Sequence, residues 1–496
     1  MPGVYDLVVI GAGPAGQVAA ELAAAFGRST LIVERNQPGG VVTTTGGAPT
    51  KALREAALYL TGFRQQEVYG VRAAASLDVV LPTLRTRIER VRDVLQGAVA
   101  RQLAERRVAY LQGTARLGPD RTVCVMAPEG ATSQIAARRI LIATGSRPTH
   151  FPAIPFDDPD VYDSDQIYSL SRVPEDIVII GGGAVGVEFA TNFTALGVPA
   201  ILLSQSDRLL PSMDGELAGR MADEFERRGA RLILGAGAQS VARVDGRLRV
   251  TLSTGAVLAT DAVLFAAGRT PNTEGLGLAE AGVQVDAHGR IVVDRYYRTT
   301  AEAVYAAGDV VGPALASTAM QQGRAAACHA CGLVVGVAVY QLPSTAVYGL
   351  PEVAGVGLTE EQAQAAGIPY VVGRCDLATI PRGAIAGHGG QLKLLLRADD
   401  RKLVGVHCLG DVASEVVGLG HVVLHIGGSV EVFLTLALNT PTYSYAYHDA
   451  AIDGLSRLAE LMGQATASAS VATSIRCGRP GSTAWPSPSR PMVRPR

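Results

Sequence analysis

Thiols are scarce in this chain: six cysteines (Cys124, Cys328, Cys331, Cys375, Cys408 and Cys477) are spread through 496 residues. So thin a scatter excludes a secreted scaffold stapled by disulphides and points to a reducing cytoplasm. Net charge is nearly absent as well, −1 from 44 basic and 45 acidic residues. That balance gives no electrostatic case for nucleic acid or an anionic membrane as the main partner. Long apolar runs are also missing. Stretches such as GLVVGVAVY are short and broken by glycine, below the ~20 residues that a membrane-spanning helix needs. A strand pattern begins at Tyr5 and leaves no room for a signal peptide. What remains is a cytoplasmic globular mix, 48% apolar and 18% charged. Its length suits about three domains of ~150 residues each.

The sequence is richer in phosphate-binding turns. YDLVVIGAGPAGQVAAELAAAFGRSTLIVER reads as strand, tight turn, helix, strand. Gly11, Gly13 and Gly16 form the G-x-G-x-x-G turn, with Pro14 and Ala15 between them. The first glycine permits the bend, the second admits a pyrophosphate, and the third packs helix on strand. The anion then meets the free N–H groups of the helix start. Glu34 ends the second strand, placed to accept hydrogen bonds from a ribose diol. EDIVIIGGGAVGVEFATNFTALGVPAILLSQ repeats the pattern with Gly181, Gly183 and Gly186, and Val185 in the turn. Two such units call for two dinucleotides, because a flavin and a nicotinamide each need a berth. Counted from Gly181, the place of Glu34 falls on Ser204, followed by Gln205 and Ser206, with Arg208 close by. No carboxylate stands there to repel a 2′-phosphate, which favours NADP(H), or tolerance of both nicotinamides, over strict NAD(H) use.

Between and after these units the pattern is coarser. Residues 53–106 are expected to be mostly helical, and the arginine-rich run from Leu84 to Arg107 reads as a solvated face because acids are interspersed. Pro148 to Pro174, rich in Pro and Asp, reads as a linker. From about Gln341, strands and helices follow without glycine fingerprints. Residues 464–496 are rich in Ser, Ala, Pro and Arg with no periodicity and read as a disordered tail.

These motifs together resemble the pyridine nucleotide–disulphide oxidoreductases over about residues 4–462. The resemblance implies an α/β fold with two Rossmann-like dinucleotide-binding domains, for FAD and for NAD(P), and an α+β C-terminal dimerisation domain. The FAD domain would take residues 1–150 and 271–340, the NAD(P) domain 151–270, and the dimerisation domain 341–463. It also implies FAD contacts at Gly40, Thr50, Ala115, Thr144, Gly145, Gly308, Asp309 and Ala316, with Gly268 and Arg269 closing the second nucleotide domain. Asp309 would meet the ribityl and phosphate portion. Lys51 and Glu188 would pair beside flavin N5, the cation favouring the electron-rich reduced ring. Ala184 would leave the nicotinamide face uncovered by any aromatic gate.

The same resemblance makes two absences informative. In GGVVTTTGGAPTK (39–51), Val42 and Gly47 stand where the family carries its redox cysteines, while Pro49, Thr50 and Lys51 remain. Thr440 and Tyr445, flanking Pro441 and Thr442, stand where it carries a His and a Glu on the segment that reaches the partner's flavin. A disulphide relay needs two thiols and a proton shuttle, and both are gone. Within the family, the soluble, flavin-dependent pyridine nucleotide transhydrogenases share RLLPSMD, VGRCDLATIPRGAIAG, VHCLGDVASE and LHIGG. That branch implies ping-pong hydride transfer from NADPH through flavin to NAD⁺. A reductase of a quinone or other small acceptor, seated in the vacated disulphide pocket, is the second expectation, and a non-catalytic flavin scaffold the third.

Two further clusters read as structure. Cys328-His329-Ala330-Cys331 lacks the additional Cys or His that a zinc site requires. On a helix its cysteines share a face and pack as core. His421 and His425, one helical turn apart, read as histidines satisfied at a subunit interface. No metal site is expected.

Overall fold

A computed structural model describes residues 3–60, 69–70, 77–334 and 342–472 of the chain. Two parallel five-stranded sheets repeat one plan. In the first, the order is Val304–Ala306, Ile140–Ile142, Leu7–Ile10, Thr30–Glu34 and Ala109–Gln112. The second runs Arg231–Ile233, Ala200–Leu203, Ile177–Ile180, Ala262–Phe265 and Val161–Asp163. Each central strand, LVVI and IVII, is buried at every position, as continuous apolar runs are when both faces of a parallel sheet are covered. Each sheet carries a three-stranded antiparallel appendage, residues 114–136 in the first unit and 238–260 in the second. Ser146–Pro148 pairs antiparallel with Arg269–Pro271, which ties the two units together where the chain passes between them.

The helices Pro14–Ala25 and Ala316–Cys331 lie so close that a Cβ on Gly323 would sit 2.1 Å from the Ala15 carbonyl oxygen. Alanine and glycine along both helices allow this approach. It sets the amino end of the second helix beside the first phosphate turn. The C-terminal unit is an antiparallel five-stranded sheet in the order Thr345–Val347, Glu352–Gly357, Leu403–Gly410, Gln391–Arg397, Tyr370–Asp376. Helices Ala413–His425 and Ala446–Ala472 pack on it. No described helix is long and apolar enough to cross a membrane.

Two sequence expectations are corrected. The stretch read as a linker supplies Val161–Asp163, three buried residues that form the edge strand of the second sheet. Three residues between Pro- and Asp-rich turns are too few to show a strand period. The chain also remains helical past residue 464, to Ala472. An alanine-rich run extends an existing helix readily because propagation adds one bond per residue. The rest of the tail, with Cys477, lies outside the described residues, as do Gln341 and the stretches 61–68 and 71–76.

Candidate active site

Both phosphate turns place glycine where a side chain has no room. Gly11 has φ 108°, and a Cβ there would stand 2.3 Å from the Ala143 oxygen; Gly181, at φ 130°, would stand 2.5 Å from the Ala266 oxygen. A Cβ on Gly16 would strike the Gly11 oxygen at 2.0 Å, and one on Gly186 the Gly181 oxygen at 1.8 Å. The helices that follow are capped by Gly13 and Gly183 in extended conformation, with no side-chain cap bond. No side-chain cap therefore competes with an anion for the free N–H groups at these helix starts, of which Pro14 contributes none.

The strand registers align the two units. Ile10 pairs with Val33 and Ile180 with Leu203, so Ser204 holds in the second unit the place Glu34 holds in the first. Glu34 is buried and accepts the N–H of Ala12 at 2.7 Å and of Asn36 at 2.8 Å, leaving lone pairs for a diol. The Ser204 hydroxyl accepts the Ser206 N–H at 3.2 Å and lies beneath Gly182, where a Cβ would meet it at 2.5 Å. Arg208 is turned elsewhere. Its guanidinium binds Glu361 at 3.2 Å and the Pro211 carbonyl at 2.7 Å. A role at the 2′-phosphate would require breaking these contacts.

One cleft of ≈ 1090 Å³ gathers most of the expected residues. Gly11, Gly13, Pro14, Ala15, Glu34, Gly40, Thr50, Lys51, Ala115, Thr144, Gly145, Val185, Glu188, Arg269, Gly308, Asp309 and Ala316 all line it. Gly16, Gly181, Gly183, Gly186, Ser204, Arg208 and Gly268 do not. The lining fits FAD: a bare glycine turn for pyrophosphate, a buried acid for ribose, and a lysine in the same cleft. Asp309 enters a bonded chain in which Arg269 Nε donates to Ser146 Oγ at 2.8 Å and Ser146 Oγ donates to Asp309 Oδ2 at 2.5 Å. Thr144 and Asn272 exchange bonds across the same seam, at 2.8 and 2.9 Å.

At the wall, Lys51 Nζ lies 2.9 Å from Glu188 Oε2; the lysine side chain is one-third exposed and the glutamate buried. The other Glu188 oxygen accepts the N–H of Tyr348 at 2.9 Å, and the Tyr348 ring centroid lies 4.6 Å from Lys51 Nζ. Burial raises the Tyr348 phenol above its ordinary range. Sequence reading missed Tyr348, because one aromatic after a short strand reads as core. It also missed Tyr168, whose hydroxyl meets Thr50 Oγ1 at 2.6 Å and is pushed upward in pKa by burial.

The loop around Val42 and Gly47 is closed partly by its own backbone. The Val41 carbonyl accepts the N–H groups of Thr45, Gly46 and Gly47. A Cβ on Gly47 would lie 2.5 Å from the Val42 oxygen and 2.7 Å from its Cα. No side chain fits at 47 unless the loop moves, so less room is left there for a small acceptor than Val42 and Gly47 imply on paper. Thr440 is exposed on this protomer, and the Tyr445 ring stacks on His448 with centroids 5.4 Å apart.

The Cys-x-x-Cys pair packs as expected. Cys328 is buried, and Cys331 sits against the core of the first unit with its thiol pushed up by burial to about 11. Such a thiol is almost wholly protonated near neutrality and inert. Among the described residues, no group of three His, Cys, Asp or Glu could hold a metal.

Known proteins agree with this geometry. The chain is 38% identical over 469 residues to a soluble pyridine nucleotide transhydrogenase of Mycobacterium bovis, covering 92% of this chain and 98% of that one. It is 36% identical over 473 residues to another from Pseudomonas putida, covering 92% and 99%. Among solved structures, LpdA of Mycobacterium tuberculosis superposes with a TM-score of 0.84 at 28% identity, over 90% of this chain and 98% of that one. The Escherichia coli HOCl-induced flavoprotein disulfide reductase RclA gives 0.78 at 26%, over 90% and 99%. Pyridine nucleotide-disulphide oxidoreductase sequences match residues 5–323, and the dimerisation domain of the same proteins matches 343–451. With both matches spanning most of its length, the chain belongs to the pyridine nucleotide-disulphide oxidoreductase family.

Proposed function

We propose that this chain is a soluble, FAD-dependent pyridine nucleotide transhydrogenase, acting as a cytoplasmic homodimer and using no disulphide relay. The observation that carries the reading is the Lys51–Glu188 pair, 2.9 Å apart on the cleft wall, beside Val42 and Gly47, the positions at which the resemblance expects redox cysteines. FAD would supply a two-electron carrier between a reduced and an oxidised nicotinamide nucleotide, NADP(H) and/or NAD(H). Glu188, held by the Tyr348 N–H, fixes the Lys51 ammonium. That ammonium offers fixed positive charge where negative charge develops. Glu34 and the turn Gly11–Gly16 anchor the adenosine diphosphate portion. Gly181, Gly183, Gly186 and Ser204 form the corresponding nicotinamide-nucleotide site, and the neutral Ser204 leaves room for a 2′-phosphate or a free hydroxyl. The transhydrogenase names of relatives at 35–38% identity support the same reading.

Anaerobic stopped-flow mixing of the purified flavoprotein with NADPH, then with NAD⁺ or a quinone, tests it. Reoxidation by NAD⁺ with NADH appearing is expected. Reoxidation by quinone alone would refute it.

A further inference from the structure

Arg54 stands one helical turn beyond Lys51 on the helix Ala48–Leu60, and the chemistry proposed above makes no use of it. It is buried, an uncommon place for a guanidinium, and the C-terminal unit engages most of it. Nε donates to the Gly349 carbonyl at 3.1 Å; Nη2 lies 3.0 Å from Glu352 Oε1 and 3.4 Å from the Asp411 carbonyl. Nη1 meets the exposed carboxylate of Glu55 at 3.3 Å. Glu352 is buried too, and its second oxygen accepts the N–H of Ser414 at 3.0 Å and its hydroxyl at 2.7 Å. An ion pair so desolvated is a poor source of stability, because apolar residues of similar volume often replace one at no cost.

Its placement suggests another use. Gly349 follows Tyr348, whose N–H holds Glu188 and whose ring lies beside Lys51 Nζ. Lys51 and Arg54 share one helix, so the contacts close a ring: Lys51 to Glu188, Glu188 to Tyr348, Gly349 to Arg54, and back along the helix. Gly349 has little slack, since a Cβ on it would lie 2.9 Å from Met221 Cε and 3.0 Å from the Pro351 oxygen. Tyr348 and Ser414 both line the cleft. We propose that Arg54 and Glu352 are positioning residues that fix the helix Ala48–Leu60 against segment 348–352 and so hold the Lys51 ammonium at the flavin. The proposal rests on the flavin reading above.

The test is the charge-balanced double variant R54M/E352M, which leaves neither partner as an uncompensated buried charge. It should fold and bind FAD with a melting temperature near that of the parent. Its flavin should be about tenfold harder to reduce at equilibrium, a midpoint potential ~30 mV more negative for a two-electron couple. Reduction by saturating NADPH should slow by a similar factor. R54K, which keeps the charge without the planar fork, should fall between parent and double variant. A folded, FAD-loaded R54M/E352M with the parent's potential and rate overturns the proposal. If the double variant does not fold, R54K with the parent's potential overturns it. Failure of the parent chain to bind FAD would instead remove the flavin reading.

Discussion

Lys51→Met removes the one cation that pairs with Glu188 among the described residues and leaves the glycine turns and Glu34 untouched. Glu188 would keep a single bond, from the Tyr348 N–H, and lose its partner at 2.9 Å. A hydrogen bond to a charged group contributes about 1.5–3 kcal/mol, and a fully buried donor to developing charge is worth ~10²–10³ in rate. The Lys51 side chain is 33% exposed, and water screens part of that effect. Reduction of the bound flavin by saturating NADPH should therefore slow by about 10- to 100-fold, at ~1.4 kcal/mol per factor of ten. FAD content and affinity should hold, because the substitution leaves unchanged the glycine turn and Glu34 proposed for the phosphates and ribose. Stopped-flow absorbance at the flavin band measures the rate, and fluorescence titration of apoprotein measures the affinity. A rate within twofold of the parent would remove Lys51 from the mechanism. Lost FAD binding would show that the lysine is structural.

Three other outcomes follow from the geometry. Ser204→Glu places a carboxylate where Glu34 sits in the first unit, able to accept the Gly182 N–H. The NADH-to-NADPH ratio of kcat/KM should rise by about tenfold or more, as repulsion of a 2′-phosphate requires; an unaltered ratio means the phosphate is read elsewhere. Gly47→Cys should create no disulphide chemistry and should destabilise by about 1–3 kcal/mol, the usual cost of overpacking, because its Cβ would meet Val42 at 2.5 Å. Wild-type stability in urea would contradict the packing. Lys393 is fully buried among Asp214 at 2.8 Å, Glu216 at 2.9 Å and Glu360, and so clamps the nicotinamide unit to the C-terminal sheet. Lys393→Met should cost about 3–5 kcal/mol, the price of an uncompensated buried carboxylate, visible as a lower urea midpoint at neutral pH.

The same clamp sets a pH dependence. Burial alone would raise Glu216, but bonds from Arg374, Gln391 and Lys393 hold it below the usual range. Its contribution is complete above the unfolded value of about 4.3 and is lost as pH falls toward the folded value. Burial alone would lower Lys393, but Asp214 and Glu360 hold it raised. Its contribution is complete below about 10.4 and is lost as pH rises through the folded value. Stability should be flat across neutral pH and fall at both ends, and the alkaline fall should shrink in Lys393→Met.

The sequence by itself determined what is local. A glycine turn between a strand and a helix is written within about thirty residues, and the exclusion at Gly16 and Gly186 acts against Gly11 and Gly181 in the same turns. Hence both phosphate turns and the place of Glu34 at the end of its strand were legible, and the Lys51–Glu188 pair followed from the family resemblance. Short elements were not. Val161–Asp163 has no period to read, and its strand exists because the second sheet offers an edge. Only the tertiary structure decided which distant groups meet: Tyr348 on Glu188, Arg54 on Glu352, Lys393 among three acids, and Arg208 on Glu361 instead of facing a nucleotide. Burial makes the Arg54 and Lys393 pairings obligatory, since a charge taken from water must find a partner. Which partner it finds depends on how the units pack, and no local pattern records that.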